Sequence, residues 1–410
     1  MTANLKVPYR GFRGLAPCGL YLVPLLLLPL LSTGQEQSPY IWKVFEYRPA
    51  PGQFVNELPE YEVGDTPAEM ALKAEECIKG ETKTLVSLGG YGGYIVFGFD
   101  HMIENIEGKK DFRILSNAFY TNANPNPDAL SEGGSSEPGI VMVSYDANGN
   151  GLPDDPWYEL AGSEYNKPET IKNYRIMYYK PDESKIRTPD SSYIYLSDTT
   201  YILWKSNQGD QGYLYRNTFH SQSYYPQWLD EDSLVFTGTK LANNYIDESG
   251  DGSYYVQYAY DWGYADNHHN ADNRSCFDIN WAVDSLGNSV SLPGINFVKV
   301  YTGVNQYCGW LGESSTEILG AEDLHMTGTY VGVSKPENKA TFSVYPNPVK
   351  SNLHIVSELP QKVEIFNLKG TKINEYSLIR GHNVIDVTGL FNGVYILKAN
   401  GTIKKIIKSK

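Results

Sequence analysis

The feature that most constrains this chain is a long series of short segments in which apolar and polar residues alternate. A period of two places every second side chain on the same face of a strand. Gly, Asn and Pro interrupt these segments at short intervals, which is typical of turns between antiparallel strands. Tyrosine is abundant, at 33 of 410 residues, and favours strands. The sequence therefore predicts a mainly β fold.

Strand signals recur throughout the region from 35 to 326, without a repeat at propeller or solenoid spacing. We interpret this region as one large antiparallel β-sandwich or jelly-roll-like domain. The glycine-rich segment 89–93 lacks the lysine and the following helix of a phosphate-binding loop, so it indicates a tight turn. The strand signals lie at 40–45, 84–88, 94–99, 111–115, 139–144, 174–179, 193–204, 254–260 and 295–301.

One helix is predicted near 67–79. Thr66-Pro-Ala-Glu69 forms a capping box with proline at the first helical position, and Gly80 marks the end. One face of this helix is apolar and includes Cys77, which indicates a buried thiol. The residues on that face are Met70, Ala74, Cys77 and Ile78.

The amino-terminal segment 1–34 has the organisation of a secretory signal peptide. Basic residues at 6, 10 and 13 precede a 13-residue apolar stretch at 19–31, and small residues follow at 32–34. The apolar stretch is too short to span a bilayer comfortably, and no later segment is long enough. We therefore expect no transmembrane segment after cleavage.

The segment 342–410 is predicted to form a small Ig-like β-sandwich of short strands. It opens with Tyr345-Pro-Asn-Pro348, continues through alternating strands to Gly393-Val-Tyr-Ile396, and ends in lysines. These motifs, in this order, resemble the type A C-terminal sorting domain of type IX secretion. The resemblance implies that the type IX machinery is a partner and that the protein is secreted or held on the outer surface of a Gram-negative bacterium. Residues 327–341 are then a linker.

The central region resembles a group of secreted bacterial cell-surface proteins with no assigned chemistry. The resemblance is carried by 86–100, 136–143 with 157–164, and 277–283 with 309–313. It implies a single β-rich unit. The formal charge of −14 and the pI near 5.0 make nucleic acid and anionic membranes poor partners.

The segment from Asp146 to Asp155 carries the clearest metal-binding motif. Oxygen side chains lie at relative positions 1, 3, 5 and 9, with glycine at 6, as in the first part of an EF-type calcium loop. Trp157 stands where that loop has its bidentate glutamate, and a strand signal precedes the loop. We interpret it as an extracellular calcium-loop variant with a structural role; the alternative is an acidic Asn-Gly turn. The expected ligands are Asp146, Asn148, Asn150, Asp154 and Asp155.

Cys276 and Cys308 are the candidate disulfide pair. The export signals imply an oxidising compartment, and Cys77 is assigned to the helix face. The alternative is that all three thiols are free.

Two aromatic clusters are candidate ligand-binding residues. One contains Trp228; in the other, the even-numbered positions 254, 258, 260, 262 and 264 are aromatic and would share one face of a regular strand. Such a row can stack on the faces of sugars or macrocycles, whereas the alternative is that the rings form the sandwich core. The candidates are Trp228, Tyr258, Tyr260, Trp262 and Tyr264.

Three functional classes remain open. The first is a non-catalytic surface protein that binds a glycan or small nutrient. The second is a secreted glycan-active hydrolase or lyase, and the third is an adhesin or matrix component. The sequence contains neither a zinc motif nor a Gly-x-Ser-x-Gly elbow. With 48 acidic residues, it does not single out a catalytic pair.

Overall fold

The computed structural model confirms a mainly β chain of antiparallel sheets with one α-helix. The predicted signal peptide, 1–34, and the predicted linker, 327–341, lie outside the residues that the structure describes. Among the described residues, no helix has the length and apolar content needed to cross a membrane. The described residues are 37–81, 84–121, 124–326, 342–357, 359–367, 371–399 and 402–409.

The largest sheet has six antiparallel strands. Its central strand, Gly294–Thr302, pairs on both sides, with Phe97 opposite Val298 and with Val141 opposite Val300. These side chains are buried in the main hydrophobic core. The strands, in spatial order, are Lys43–Arg48, Tyr94–Glu104, Gly294–Thr302, Gly139–Ser144, Trp157–Leu160 and Ala282–Val283.

Smaller sheets complete the main domain. One four-stranded sheet consists of Gln211–Asn217, Leu196–Ser206, Ile171–Tyr179 and Ser233–Lys240. A second consists of Tyr245–Asp247, Tyr255–Tyr258, Gly133–Ser135 and Phe119–Tyr120. The remaining strands form a three-stranded sheet and a pair, with the bounds Cys276–Phe277, Phe112–Leu115 and Gly320–Asp323, then Glu317–Ile318 and Val86–Ser87.

The single α-helix, Pro67–Ile78, begins as its capping box predicts. The Glu69 amide donates to the Thr66 hydroxyl at 3.3 Å, and the Thr66 amide donates to Glu69 Oε2 at 2.7 Å. Met70, Ala74 and Ile78 are buried, as their spacing predicts. Cys77 is only partly buried, so the thiol lies at the margin of the apolar face. Short 3₁₀ helices occur at Asn273–Ser275, Ile279–Trp281 and Gly309–Leu311.

The glycine-rich segment 89–93 forms a buried turn between two strands, as predicted. Gly92 has a φ of +86°, and a Cβ atom there would lie 2.3 Å from Phe236. A Cβ atom at Gly93 would lie 2.0 Å from the Leu88 carbonyl oxygen. Close approach of chain segments therefore explains the glycines without a phosphate.

The carboxy-terminal segment has its own hydrophobic core, which includes Leu353, Ile355, Val363, Ile365 and Leu397. Two antiparallel sheets contribute to this core, as the predicted small sandwich requires. One sheet consists of Phe342–Tyr345, Asn352–Ser357 and Gly381–Asp386; the other consists of Lys372–Leu378, Gln361–Asn367, Gly393–Ala399 and Thr402–Lys408.

Candidate functional site

The main domain contains a cavity of about 640 Å³, a size that suits a small organic ligand. Segments that are distant in sequence form its wall: the connection at 53–58, the strands Phe119–Tyr120 and Tyr255–Tyr258, and the 3₁₀ helix Gly309–Leu311. Most of the wall is apolar, with six aromatic side chains. These are Phe54, Phe119, Phe219, Tyr254, Tyr255 and Trp310.

The 3₁₀ helix Gly309–Leu311 carries Trp310 into the wall. Its indole Nε1 donates to the Ser253 carbonyl oxygen at 3.1 Å, and the side chain remains 41% exposed. Gly309 has a φ of +58°, and a Cβ atom there would lie 2.1 Å from the ring of Tyr255. Glycine therefore allows the helix to pack directly on Tyr255.

Glu313 contributes a carboxylate to this mostly apolar wall. The side chain is 6% exposed, and its Oε1 accepts a hydrogen bond from the Gln53 amide at 2.6 Å. The backbone amide of Glu313 itself also donates to this carboxylate. Burial raises the pKa of Glu313 to about 8, because a carboxylate loses its hydration there.

A second acidic group consists of Glu137, Asp266 and Glu317, each of which has a carboxylate oxygen within 4.8 Å of the others. Glu137 and Glu317 line the cavity. Glu137 Oε1 accepts from the Ser315 amide at 3.0 Å, and the Glu317 amide donates to Asp266 Oδ2 at 2.8 Å. Burial raises the pKa of all three carboxyls, and the charge of Glu137 adds to the rise at Asp266 and Glu317.

The backbone at Asp266 is strained. Its φ of +52° lies in the left-handed region that residues other than glycine rarely adopt. Asp266 is 3% exposed, and its backbone carbonyl oxygen accepts a hydrogen bond from the Glu137 amide at 2.8 Å. Strain of this kind persists where the surrounding structure imposes it, and it often marks a functional site.

The cavity has no balancing positive charge among the described residues that line it, since none of them is lysine or arginine. The one histidine in the wall is His220, and burial lowers its pKa, which favours the neutral ring. Burial and mutual repulsion favour the protonated forms of these carboxyls. A bound cation could replace those protons. An anion would find no charge partner there.

The predicted aromatic ligand-binding residues lie outside the wall of the cavity. Trp228 is buried and stacks on Tyr47, with ring centroids 5.7 Å apart. The regular strand ends at Tyr258, so the alternate positions beyond it do not share a strand face. Tyr258 and Tyr264 are buried, whereas Tyr260 and Trp262 are partly buried. None of the five lines the cavity; their neighbours Tyr254 and Tyr255 do.

The predicted calcium ligands do lie together, in an irregular loop between two strands. The side-chain amides of Asn148 and Asn150 donate to Asp154 at 3.1 and 2.9 Å. Both oxygens of Asp146 accept backbone amides, from Asn150 at 3.1 Å and Gly151 at 2.9 Å. Asp155 accepts from the Ala147 amide at 3.1 Å. The loop folds around these oxygens, and calcium there remains a prediction.

The predicted disulfide between Cys276 and Cys308 is not formed, and both thiols are free and buried. Each has its own partner: Arg113 Nε lies 3.3 Å from the Cys276 sulfur, and the Ser314 hydroxyl lies 3.8 Å from the Cys308 sulfur. Burial raises the pKa of the Cys308 thiol to about 12. The fold thus leaves the two sulfurs in different surroundings.

Sequence reasoning missed the carboxylates of the cavity. Glu137 and Glu313 lie inside stretches that carry the resemblance to secreted cell-surface proteins, 136–143 and 309–313. Glu317 precedes the apolar residues Ile318 and Leu319 and lies opposite Ser87 in the short strand Glu317–Ile318. An acidic residue within an apolar strand was the available signal, but nothing in the sequence linked it to positions 137 and 266.

Comparison with family models identifies the carboxy-terminal segment. Residues 343–409 match the model described as the secretion system C-terminal sorting domain. This match confirms the type IX sorting domain, and the protein is therefore secreted or displayed at the cell surface. The type IX secretion machinery is its export partner.

The comparisons with curated proteins and solved structures extend to the chain beyond this segment. No curated protein matches the chain significantly. One matching solved structure is a β-glucuronidase of Faecalibacterium prausnitzii, at 9% identity and a TM-score of 0.16. The match covers 69% of this chain and 47% of that one, so the chain spans about half the length of the glucuronidase. A similarity this low carries no argument about fold or activity.

Proposed function

We propose that this exported protein binds a small ligand, a nutrient or a glycan fragment, in the 640 Å³ cavity and does not convert it. The observation that carries the proposal is the wall of this cavity, where aromatic side chains surround a few buried polar groups. Such a combination is typical of small-molecule sites, because apolar contact supplies affinity and the polar groups select the ligand. Calcium at the loop 146–155 belongs to the proposal as a structural element.

Export to the cell surface is consistent with capture. A binding protein at this location meets extracellular nutrients before any transporter does. Exposed aromatic side chains of the cavity wall, such as Phe219 and Trp310, are accessible to a ligand in the folded protein. Preformed aromatic surfaces lose little conformational entropy when they bind.

A glycan-active hydrolase or lyase is the second candidate. One observation favours it: Glu313, with a pKa raised to about 8, lies in the wall of the same cavity as Glu137 and Glu317. A carboxyl that keeps its proton at neutral pH can act as a general acid, and a second carboxylate can act as base or nucleophile. Release of reducing ends from an oligosaccharide by the purified protein, abolished in Glu313→Gln, would establish this candidate and exclude pure binding.

Native mass spectrometry of the protein recovered from the medium of producing cells tests the binding proposal. We expect a noncovalent adduct of the size of a small organic molecule on the wild type. Trp310→Ala removes part of the cavity wall and should release the adduct while leaving the melting temperature nearly unchanged.

Trp42→Ala is the matched control. Trp42 is 42% exposed, close to the 41% of Trp310, but it does not line the cavity. This variant should retain the adduct. An adduct retained equally by both variants, or absent from the wild type supplied with medium components, would contradict binding in this cavity.

A further inference from the structure

The charge distribution of the cavity restricts the class of ligand. Three glutamates, Glu137, Glu313 and Glu317, line it together, and no lysine or arginine is among the described lining residues. Outside the cavity, the buried Asp198 has a cationic partner, because it lies 3.3 Å from Lys185 Nζ. The carboxylates of the cavity lack such partners.

Glu313 shows this most clearly. The side chain is nine-tenths buried and lines the cavity, and its carboxylate accepts hydrogen bonds from the Gln53 amide and from its own backbone amide. Gly52 approaches it so closely that a Cβ atom there would lie 2.8 Å from Oε1. The fold therefore positions this carboxylate firmly, and its donors are backbone amides rather than cationic side chains. A cationic group of a ligand would favour the ionised form of this buried carboxyl.

The aromatic side chains of the wall also favour a cationic ligand. The faces of aromatic rings carry negative electrostatic potential and attract cations within about 6 Å of the ring centroid. Tyr254, Tyr255 and Trp310 lie in the same wall as the carboxylates. Aromatic rings around a desolvated carboxylate bind an organic ammonium group well, because the apolar part of the ligand and its charge are both accommodated.

We infer that the ligand is an organic cation whose positive group lies against Glu313, Glu137 and Glu317 and whose apolar body contacts the aromatic wall. This inference rests on the proposed binding function and names its ligand class. A bare divalent cation would use the carboxylates alone and would leave the apolar wall without a role. A neutral glycan would contact the aromatic wall without replacing the protons that burial favours on the carboxyls.

Binding of a cation should be linked to proton release. The titratable groups that face Glu313 across the cavity are Glu137, Glu317, His220 and Cys308, with Tyr254 and Tyr255 in the wall. Burial favours the protonated form of the glutamates, whereas the bound cation favours the ionised form. Affinity for a cation should therefore increase as the pH rises from 6 towards 9.

Titration calorimetry with a matched pair of probes tests the inference on the full secreted protein. Choline carries a quaternary ammonium, and 3,3-dimethylbutan-1-ol has the same shape without the charge. We expect choline to bind at least about tenfold more tightly than the alcohol, and more tightly at pH 9 than at pH 6. Glu313→Gln keeps the acceptor for the Gln53 amide and should reduce both the preference and the pH dependence, because Glu137 and Glu317 remain. Glu107→Gln, at an exposed glutamate outside the cavity, should keep both.

Equal binding of choline and the alcohol overturns the inference but leaves a cavity that binds ligands. Failure of both probes also overturns it, and the adduct measured by native mass spectrometry then decides the binding function separately. Saturation by calcium chloride that Glu317→Gln abolishes, without binding of choline, identifies the carboxylates as a metal site and likewise overturns the inference. A choline preference that survives undiminished in Glu313→Gln but disappears in Trp310→Ala excludes the assigned role of Glu313.

Discussion

At the scale of single residues, the carboxyl of Glu313 should make stability depend on pH. Its pKa rises from 4.5 to about 8 on folding, so the folded chain holds a proton that the unfolded chain has lost. The stabilisation that this proton gives the folded state is complete below pH 4.5 and is lost as the pH rises through 8. Within that window the free energy of unfolding falls by about 1.4 kcal/mol per pH unit. The melting temperature of the wild type should therefore fall between pH 6 and pH 9.

Glu313→Gln isolates this effect, because glutamine does not titrate. We expect its melting temperature to fall less than that of the wild type over the same range, so that the variant is the more stable protein at pH 9. Identical pH profiles of the two proteins, measured by circular dichroism, would show that the Glu313 carboxyl titrates normally.

The backbone conformation of Gly309 allows the helix Gly309–Leu311 to pack on Tyr255 in the wall of the cavity. Gly309→Ala combines an unfavourable φ with a Cβ atom 2.1 Å from the Tyr255 ring. Gly108→Ala is the matched control, since Gly108 has a φ of +74° and nothing within 4 Å of a Cβ atom. The control should lose about 1 kcal/mol of unfolding free energy from backbone strain, and Gly309→Ala should lose about 1–3 kcal/mol more from overpacking. Equal losses in urea denaturation would mean that the helix Gly309–Leu311 moves away from Tyr255 freely.

At the scale of structural elements, the loop 146–155 should bind calcium. Extracellular calcium modules often have dissociation constants of about 0.1–1 mM, so 5 mM calcium should stabilise the folded protein by about 1–2 kcal/mol relative to EDTA. Asp146→Asn removes a charged ligand and should abolish this difference. Asp284→Asn, in an acidic turn where Asp284 accepts from the Leu286 amide at 2.9 Å, should preserve it. If melting curves in EDTA and in calcium coincide for the wild type, the loop is an Asn-Gly turn.

At the scale of the whole molecule, export should depend on the carboxy-terminal segment. A chain that ends at residue 335 lacks the segment 343–409 that matches the sorting domain and should remain in the periplasm. The full chain should reach the surface or the medium, as measured by immunoblotting of cell fractions. Residues 336–410 fused to an unrelated periplasmic protein should redirect that protein to the surface. Equal surface delivery of the full and shortened chains would contradict a sorting role.

Local signals allowed much of the fold to be predicted. The helix Pro67–Ile78 begins where Thr66 and Glu69 form reciprocal hydrogen bonds, an interaction between residues three apart. The turn at 89–93 and the sorting domain are likewise recognisable, because glycine conformation and strand alternation are properties of neighbouring residues. The predicted shared face of the aromatic row is wrong, because it assumed a regular strand and the strand stops at Tyr258. Ligand binding by these residues stays a prediction.

The sequence by itself determined the β class, the helix, the tight turns, the oxygen-rich loop and the export segment. Only the tertiary structure decided where a ligand could bind. Glu137, Asp266, Glu313 and Glu317 come together because separate strands and loops converge, and any of the 48 acidic residues was an equal candidate beforehand. The physical reason is range: caps, turns and alternation act between neighbours in the chain, whereas the burial that raises the pKa of a carboxyl depends on everything packed around it.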